Sequence, residues 1–171
     1  MRSIDDTIVD FEIVKSNNLY RCLVKRKSNS NKETSFDLEN EEAEGTNKLF
    51  SVTYVLYEAL KFGRTFIIDE FDSLLHPKLT RKIISLFYSE LAHPRAQIIF
   101  ISHDSNLLDH GFLKRDQITF VEKLKSGESE IYDLSDIKGV RPNDLFEKNY
   151  LSGKYGGLPH IGNLEKALIN A

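Results

Sequence analysis

Two short apolar runs of the sequence lead into side chains that could do chemistry. Residues 65–68 (TFII) are followed by Asp69 and Glu70, and residues 97–101 (QIIFI) are followed two positions later by His103. Unbroken apolar runs are typical of strands buried on both faces of a parallel sheet, and ligands bind beyond the carboxyl ends of such strands. If the two strands are neighbours, two carboxylates and an imidazole converge at one edge. Phosphoryl transfer from a nucleotide uses such a set, because one carboxylate orients Mg²⁺, another activates water and a polar donor contacts the γ-phosphate.

Helices before and after the first of these strands must position the side chains. Apolar residues at helical spacing predict a helix from about Thr46 to Lys61, with Gly63 placed to end it. Pro77 opens a second helix, which is predicted to continue up to Pro94. The order strand, helix, strand predicts βαβ units, and therefore an α/β fold class with a parallel sheet at its core. The apolar stripe of the second helix consists of Leu79, Ile83, Phe87 and Leu91.

The flanking segments predict antiparallel strands. Residues 8–14 and 19–25 are β-rich runs joined by an Asn-containing turn, which indicates a hairpin. The polar residues 27–44 are predicted to form a loop with a short strand near residues 35–38. Further predicted elements are strands at 117–122 and 129–134, short helices near 105–108 and beyond Asp144, and a turn at 153–157.

Composition narrows the classes of protein that the chain can belong to. It has 171 residues, 40% hydrophobic and 29% charged, and its net charge of −3 argues against a general polyanion-binding surface. Lys25, Arg26 and Lys27 form a basic cluster that we interpret as a solvated strand end, weakly suggestive of nucleic acid. The single cysteine, Cys22, excludes an intrachain disulfide and a cysteine-based zinc site. Because no secretory signal and no apolar stretch of about 20 residues is found, we expect a cytoplasmic protein without membrane contact.

Three segments together resemble a known family. Residues 41–46 (EEAEGT), 65–77 (TFIIDEFDSLLHP) and 99–104 (IFISHD) resemble the C-terminal half of ABC-type ATPases. Within that superfamily the chain is similar to the AAA/OLD-like prokaryotic ATPases that accompany restriction and abortive-infection defence systems. The Leu-His-Pro after the acidic pair is the more discriminating feature, and the resemblance extends from about Ile8 to Ile161. It implies a single P-loop NTPase lobe over the chain, divided into residues 1–40 (hairpin and polar loop), 41–123 (core) and 124–171 (C-terminal strand and tail).

The resemblance assigns roles to the residues at the two strand ends. Asp69 would be the Walker B aspartate that holds the Mg²⁺ shell, and Glu70 would be the catalytic base that polarises the attacking water. His103 would be the switch histidine that hydrogen-bonds the γ-phosphate. These roles follow from the family and not from the spacing alone.

Two further loops receive roles from the same resemblance. Ser73 to His76 would form the D-loop, which runs along a dimer interface. Gly45 and Thr46 would belong to the signature loop, whose backbone N–H groups approach the γ-phosphate of the opposite subunit. A helix that starts at Thr46 would add the positive end of its dipole there, and Gly permits close approach of the backbone.

The chain departs from the family pattern in two respects. Ala43 stands where the family commonly has Ser, so one hydrogen bond to the partner's γ-phosphate would be missing. No Walker A segment, Gly-x-x-x-x-Gly-Lys-Ser/Thr, and no glutamine loop is found, because the pair Gly153-Lys154 lacks both the first glycine and the hydroxyl. We therefore expect half an ATP site, from a fragment or from a split or truncated gene, that alone binds ATP poorly and does not hydrolyse it.

The resemblance implies an ATP-binding and ATP-hydrolysing part of an ABC-like AAA ATPase from an anti-phage or restriction-linked system. Its cofactors would be ATP and Mg²⁺. Its partners would be an N-terminal P-loop lobe or an intact homologue, a second copy upon ATP binding, and a nuclease effector, while contact with nucleic acid stays open. Two alternatives remain: a non-catalytic relic or regulatory lobe that binds an intact homologue, and a metal-dependent nuclease. The ligands of the latter would be Asp69, Glu70, Asp72, His103 and Asp104.

Overall fold

Antiparallel strands open the first of the two compact units into which the chain divides, Met1–His103 and Asp104–Ala171. The computed structural model describes residues 5–16, 19–28, 32–108 and 111–159. Strand β1 (Ile8–Ser16) pairs with β2 (Leu19–Lys27), which confirms the predicted hairpin, although the turn residues 17–18 lie outside the described part. Strand β3 (Glu33–Asp37) pairs with β2 and extends the hairpin to three strands. The core of this sheet contains Ile8, Phe11, Cys22, Val24 and Leu38.

Helix α1 (Glu44–Phe62) follows the sheet and buries one apolar face. Its C-terminal end is the predicted one: Gly63 adopts a left-handed conformation with φ of 68° and donates its N–H to the Ala59 carbonyl oxygen. Glycine adopts that conformation without a Cβ clash. The N-terminal end lies two residues earlier than predicted, so the helix does not start at Thr46. The buried face consists of Leu49, Val52, Leu56 and Ala59.

Strands β4 (Thr65–Ile68) and β5 (Gln97–Phe100) form a parallel pair, as the two apolar runs predict. The prediction that both faces of these strands are buried is wrong for the described residues. Phe66 is buried, but Ile67 is 68% exposed and its neighbour Ile99 is 54% exposed. The reason is that β4 and β5 pair only with each other within the described ranges, and nothing there covers the outward face.

Helix α2 (Pro77–Leu86) begins at the predicted proline but ends early. Its predicted continuation to Pro94 is wrong, and Leu91 of the expected apolar stripe is 94% exposed. Ser85 and Ser89 each donate their hydroxyl to the carbonyl oxygen three residues before them, at 2.6 and 2.7 Å. Such side-chain bonds compete with the helical pattern, and the chain turns after Phe87 instead of continuing the helix.

The second unit contains the remaining predicted strands and helices. Strands β6 (Thr119–Lys123) and β7 (Ser129–Asp133) form an antiparallel hairpin. A 3-10 turn occupies Ser105–Leu108, and helix α3 spans Phe146–Leu151. The predicted tail beyond residue 159 lies outside the described residues.

An aromatic cluster holds the Gly-rich segment of the second unit in place. The Phe120 ring contacts the rings of Tyr132, Tyr150 and Tyr155. Burial, and then the hydrogen bond with the Glu122 carboxylate, raise the pKa of Tyr132 to about 12. The segment 153–157 that follows α3 is a turn, in keeping with the prediction from sequence.

The predicted α/β fold class is confirmed, since one parallel and two antiparallel strand groups accompany the helices in the described part of the chain. This mixture is compatible with a P-loop NTPase-like domain. The finer assignment to an ABC-like half, and the prediction of one lobe over residues 1–171, stay predictions. In the described part of the chain, no helix has the length and apolar character needed to cross a membrane.

Candidate functional site

The carboxyl ends of β4 and β5 lie side by side, where the chemistry was expected. The ladder continues past the strands, because the Ile101 N–H donates to the Ile68 carbonyl oxygen at 3.0 Å. The Phe71 N–H then donates to the Ile101 carbonyl oxygen at 3.1 Å. This second bond ties the segment that carries Asp69 and Glu70 to the segment that leads, two residues later, to His103. Their side chains are exposed, and the roles that the family implies for them stay predictions.

The acidic pair sits on an unusual turn. Glu70 has a positive φ of 48°, a left-handed conformation that is rare for residues other than glycine. Its N–H donates to Asp69 Oδ1 at 2.9 Å. Its carbonyl oxygen accepts from the Ser73 N–H at 3.1 Å and from Lys48 Nζ of α1 at 3.3 Å. Such conformations persist where surrounding bonds fix them, and they cluster at functional sites.

The turn after Glu70 delivers the chain to α2. Ser73 lies within it, and Leu74 has a positive φ of 66°. His76 is the N-cap of α2: its Nδ1 accepts from the Lys78 N–H at 3.2 Å, and Pro77 occupies the first helical position. The Leu-His-Pro of the sequence therefore has a local structural reason, because a side-chain acceptor and a proline are favoured at a helix start.

The predicted signature residues belong to the first turn of α1. Ala43 is the N-cap, with an extended backbone and no side-chain acceptor, so Gly45 and Thr46 follow inside the helix. A Cβ on Gly45 would lie 2.8 Å from the Leu74 carbonyl oxygen. The glycine is thus required by a close approach within this chain, between the start of α1 and the turn after Glu70. This contact was not anticipated from the sequence.

Arg26 holds the segment before α1 and is a residue that sequence reasoning misread. Its side chain is only 23% exposed, not solvated, and its Nε and Nη2 donate to the two oxygens of Glu42 at 2.6 and 2.8 Å. Glu42 is 5% exposed, and its carboxylate raises the pKa of the Arg26 guanidinium. Arg26 Nη1 also donates to Asp5, whose pKa is lowered first by a Thr7 hydrogen bond and then by Arg26. A signal existed: Arg26 lies two residues from the buried Val24, on the same face of β2.

The donor set at the strand ends can be compared with the needs of a magnesium ion. Mg²⁺ prefers carboxylate oxygens and is commonly held by one or two carboxylates together with water and substrate phosphates. Asp69 fits this use, because Oδ1 accepts one backbone hydrogen bond and the exposed carboxylate has a second oxygen. In the described ranges no group of three or more His, Cys, Asp or Glu side chains could hold a metal ion. We find no geometric observation in favour of the nuclease alternative, which also required Asp72 and Asp104.

Comparison with known proteins identifies the family. Residues 4–109 match the family described as "AAA domain, putative AbiEii toxin, Type IV TA system". No significant match was found among curated proteins or among solved structures. The matched stretch is more than half of the chain and contains all the predicted site residues, from Gly45 to His103. The chain therefore belongs to this family of AAA domains, which are ATPase-type domains.

Proposed function

We propose that this chain supplies one half of an ATP site in an ABC-like AAA ATPase of the OLD-like type, and that a P-loop lobe supplies the other half. The observation that supports this is the bonded contact between the two strand ends, Phe71 N–H to Ile101 carbonyl oxygen. It brings an acidic pair and a histidine to the same edge of a parallel sheet, where ligands bind in α/β folds.

Each residue of the edge has a task in this proposal. Magnesium would neutralise the developing charge on the phosphates, and Asp69 would hold its water shell. Glu70 would orient and deprotonate the attacking water, and the left-handed turn would aim its carboxylate. His103 would donate to the γ-phosphate. Gly45 would offer its backbone N–H to a γ-phosphate bound by a second copy. Thr46, whose N–H donates to the Ala43 carbonyl oxygen at 2.9 Å, would lie beside it in the signature loop, with Ser73 and His76 along the same interface.

The outward face of β4 and β5 supports the need for another lobe. Ile67, Ile99 and Ile101 are all more than half exposed. Parallel sheets occur almost only with both faces covered, because the crossover connections place helices on the faces. A P-loop lobe that covered this face would bury three isoleucines and place its phosphate-binding loop beside the acidic pair. The lobe could belong to the same polypeptide or to an intact homologue.

The family description supports the wider setting of the proposal. It names a putative toxin of a type IV toxin–antitoxin system, which agrees with a role in anti-phage or restriction-linked defence. We propose that ATP-dependent dimerisation controls an effector there, a nuclease being the effector that the resemblance implies.

Reconstitution tests the proposal. The full chain is mixed with the P-loop lobe of an intact family member, and ATP hydrolysis is measured against either component alone. We expect hydrolysis only by the mixture. With Glu70→Gln, kcat should fall by about 100-fold or more, because general-base catalysis contributes a rate enhancement of about that size or larger. Nucleotide binding by the mixture should survive the substitution.

Glu90→Gln is the matched control, because it makes the same chemical change at an exposed position outside the site. A mixture that binds ATP but hydrolyses none would favour the regulatory or relic lobe instead. Equal loss of activity in Glu70→Gln and Glu90→Gln would remove the catalytic role of Glu70.

A further inference from the structure

A groove of about 670 Å³ lies where β2, the end of β3 and the N-terminal half of α1 face one another. Its walls include the exposed apolar side chains of Tyr20, Phe50 and Leu74. Three carboxylates and two cationic side chains also line it, so that its formal charge is negative. These charged residues are Asp37, Glu39, Glu44, Arg21 and Lys48.

The carboxylate of Asp37 is buried, but only one of its two oxygens accepts hydrogen bonds. The residue is 9% exposed. Its Oδ1 accepts from the N–H groups of Glu39 and Asn40 and from Asn40 Nδ2, at 3.0 to 3.1 Å. Its Oδ2 is buried, and no hydrogen-bond donor in the described part of the chain reaches it. Leaving such an acceptor unpaired is costly, and the cost is larger for a charged group.

The neighbouring cationic side chains do not donate a hydrogen bond to Asp37 Oδ2. Arg21 Nη1 lies 3.9 Å from Asp37 Oδ2, beyond hydrogen-bonding distance, and its side chain is 58% exposed. Lys48 Nζ donates instead to the Glu70 carbonyl oxygen at 3.3 Å. A further cationic donor in the groove would therefore find this acceptor without a hydrogen bond, and a shift of the neighbouring side chains must expose Oδ2 before the donor reaches it.

We propose that this groove binds an arginine side chain of a protein partner, flanked by apolar residues. A guanidinium donates in a plane to a carboxylate and also stacks on aromatic rings, and the groove offers Asp37 together with Tyr20 and Phe50. An arginine in a pocket with aromatic walls is a common anchor of protein interfaces. The proposal goes beyond the ATP site, and it holds whether or not the chain binds a nucleotide.

Peptide titration tests the proposal on the full chain. The probe is the tripeptide acetyl-Leu-Arg-Leu-amide, compared with its citrulline analogue, which keeps the shape and loses the charge. Amide NMR signals of residues 20–22, 37–39 and 44–51 should shift with the arginine peptide. We expect affinity to fall about tenfold or more with citrulline, and likewise with Asp37→Asn, because a hydrogen bond to a buried charge is lost.

Two further variants make the test specific. Glu33→Gln removes a charge from the exposed start of the same strand and should leave the affinity unchanged. Arg21→Gln removes the competing cation and should raise the affinity.

Equal affinity for the two peptides, wild-type affinity in Asp37→Asn, or weaker binding in Arg21→Gln would each overturn the proposal. So would shifts of the same signals with protein concentration alone, which would identify a second copy as the occupant. If Asp37→Asn fails to fold, the citrulline comparison on the wild-type chain still decides.

Discussion

Several turns in the described part of the chain contain left-handed backbone conformations, and two of these turns differ in the residues that adopt them. The turn at residues 153–157 uses glycines, with φ of 80°, 72° and 67° at Gly153, Gly156 and Gly157. The turn that follows β4 uses Glu70 and Leu74, with φ of 48° and 66°. Glycine tolerates this region freely, whereas other residues pay for it. The glycine turn therefore adopts its backbone conformation without strain, whereas the turn after β4 carries the side chains of Glu70 and Leu74 in spite of the conformational cost of a positive φ.

Sequence motifs alone favour the glycine turn, and not the turn after β4, as a candidate phosphate-binding loop. A Gly-Lys pair in a Gly-rich segment is typical of a phosphate-binding loop, but this segment is held by hydrogen bonds within the chain. Tyr132 donates its hydroxyl to the Tyr155 carbonyl oxygen at 2.7 Å, and the Gly157 N–H donates to Glu122 at 3.2 Å. Lys154 lies 3.9 Å from the carboxylate of Asp144. The turn after β4 contains no glycine, yet it carries the acidic pair of the candidate site.

The largest expected effect tests the packing role of the glycine turn. In Gly156→Ala, the new Cβ would meet the Tyr132 hydroxyl and Glu122 Oε2 at a φ of 72°. We expect the free energy of unfolding of the second unit to fall by about 2–4 kcal/mol, from the strained backbone and the overpacked site. Hydrogen exchange of the amides of β6 and β7 measures this loss.

Gly127→Ala provides the matched control. Its φ is 94°, but nothing lies within 4 Å of the added Cβ, so it carries the backbone cost without the clash. If both variants lose the same free energy of unfolding, the clash of the added Cβ with Tyr132 and Glu122 does not contribute to the loss.

How far the sequence predicts this molecule depends on the distance along the chain between the groups that interact. The parallel pairing of β4 and β5 was predictable, because two apolar runs separated by one helix leave few topologies. The contact of Gly45 with Leu74 was not, since 29 residues separate the two and neither signals the other. The same holds for Arg26, whose partner Glu42 is 16 residues away.

The sequence also predicts what a segment is suited to bury, and not what covers it. The run at 65–68 is apolar throughout, yet Ile67 is exposed in the described structure because no neighbouring element lies over it. Helix α2 differs from its prediction as well: Leu91 continues the apolar stripe, but the helix ends at Leu86, where Ser85 and Ser89 donate their hydroxyls to backbone carbonyl oxygens. The position of Asp69 and Glu70 directly after β4 was predictable because it depends only on where the strand ends, and the roles of the two residues stay predictions.

A smaller effect is expected where α1 meets the turn that carries Glu70. Ala43 has the extended backbone of an N-cap, with φ of −63° and ψ of 143°, but its side chain cannot accept a hydrogen bond. Ala43→Ser supplies an acceptor for the N–H of Gly45, since the Thr46 N–H already donates to the Ala43 carbonyl oxygen at 2.9 Å. The substitution should raise the free energy of unfolding by about 1 kcal/mol. Chemical denaturation of the full chain measures the gain.

The control for this prediction is Ala92→Ser, which adds the same hydroxyl in a turn outside any helix start. An equal change in both variants would mean that capping is not the cause. In the reconstituted mixture, Ala43→Ser should also raise ATP hydrolysis if the missing hydroxyl limits the signature loop.

The smallest expected effect bears most directly on the difference between the two turns. Leu74→Gly removes a whole side chain, but it also relieves a left-handed conformation that costs about 1–2 kcal/mol in residues other than glycine. Glycine then loses about 0.5–1 kcal/mol through its greater freedom in the unfolded chain. The gain of about 0.5–1 kcal/mol that remains is offset by the loss of the buried part of the Leu74 side chain, which is 57% exposed. The free energy of unfolding should therefore stay within about 0.5 kcal/mol of wild type. Leu75→Ala, at a position 8% exposed, should instead lose about 2–4 kcal/mol. A comparable loss in Leu74→Gly would mean that the Leu74 side chain stabilises the turn by packing, and that its left-handed backbone stores no strain for the site to use.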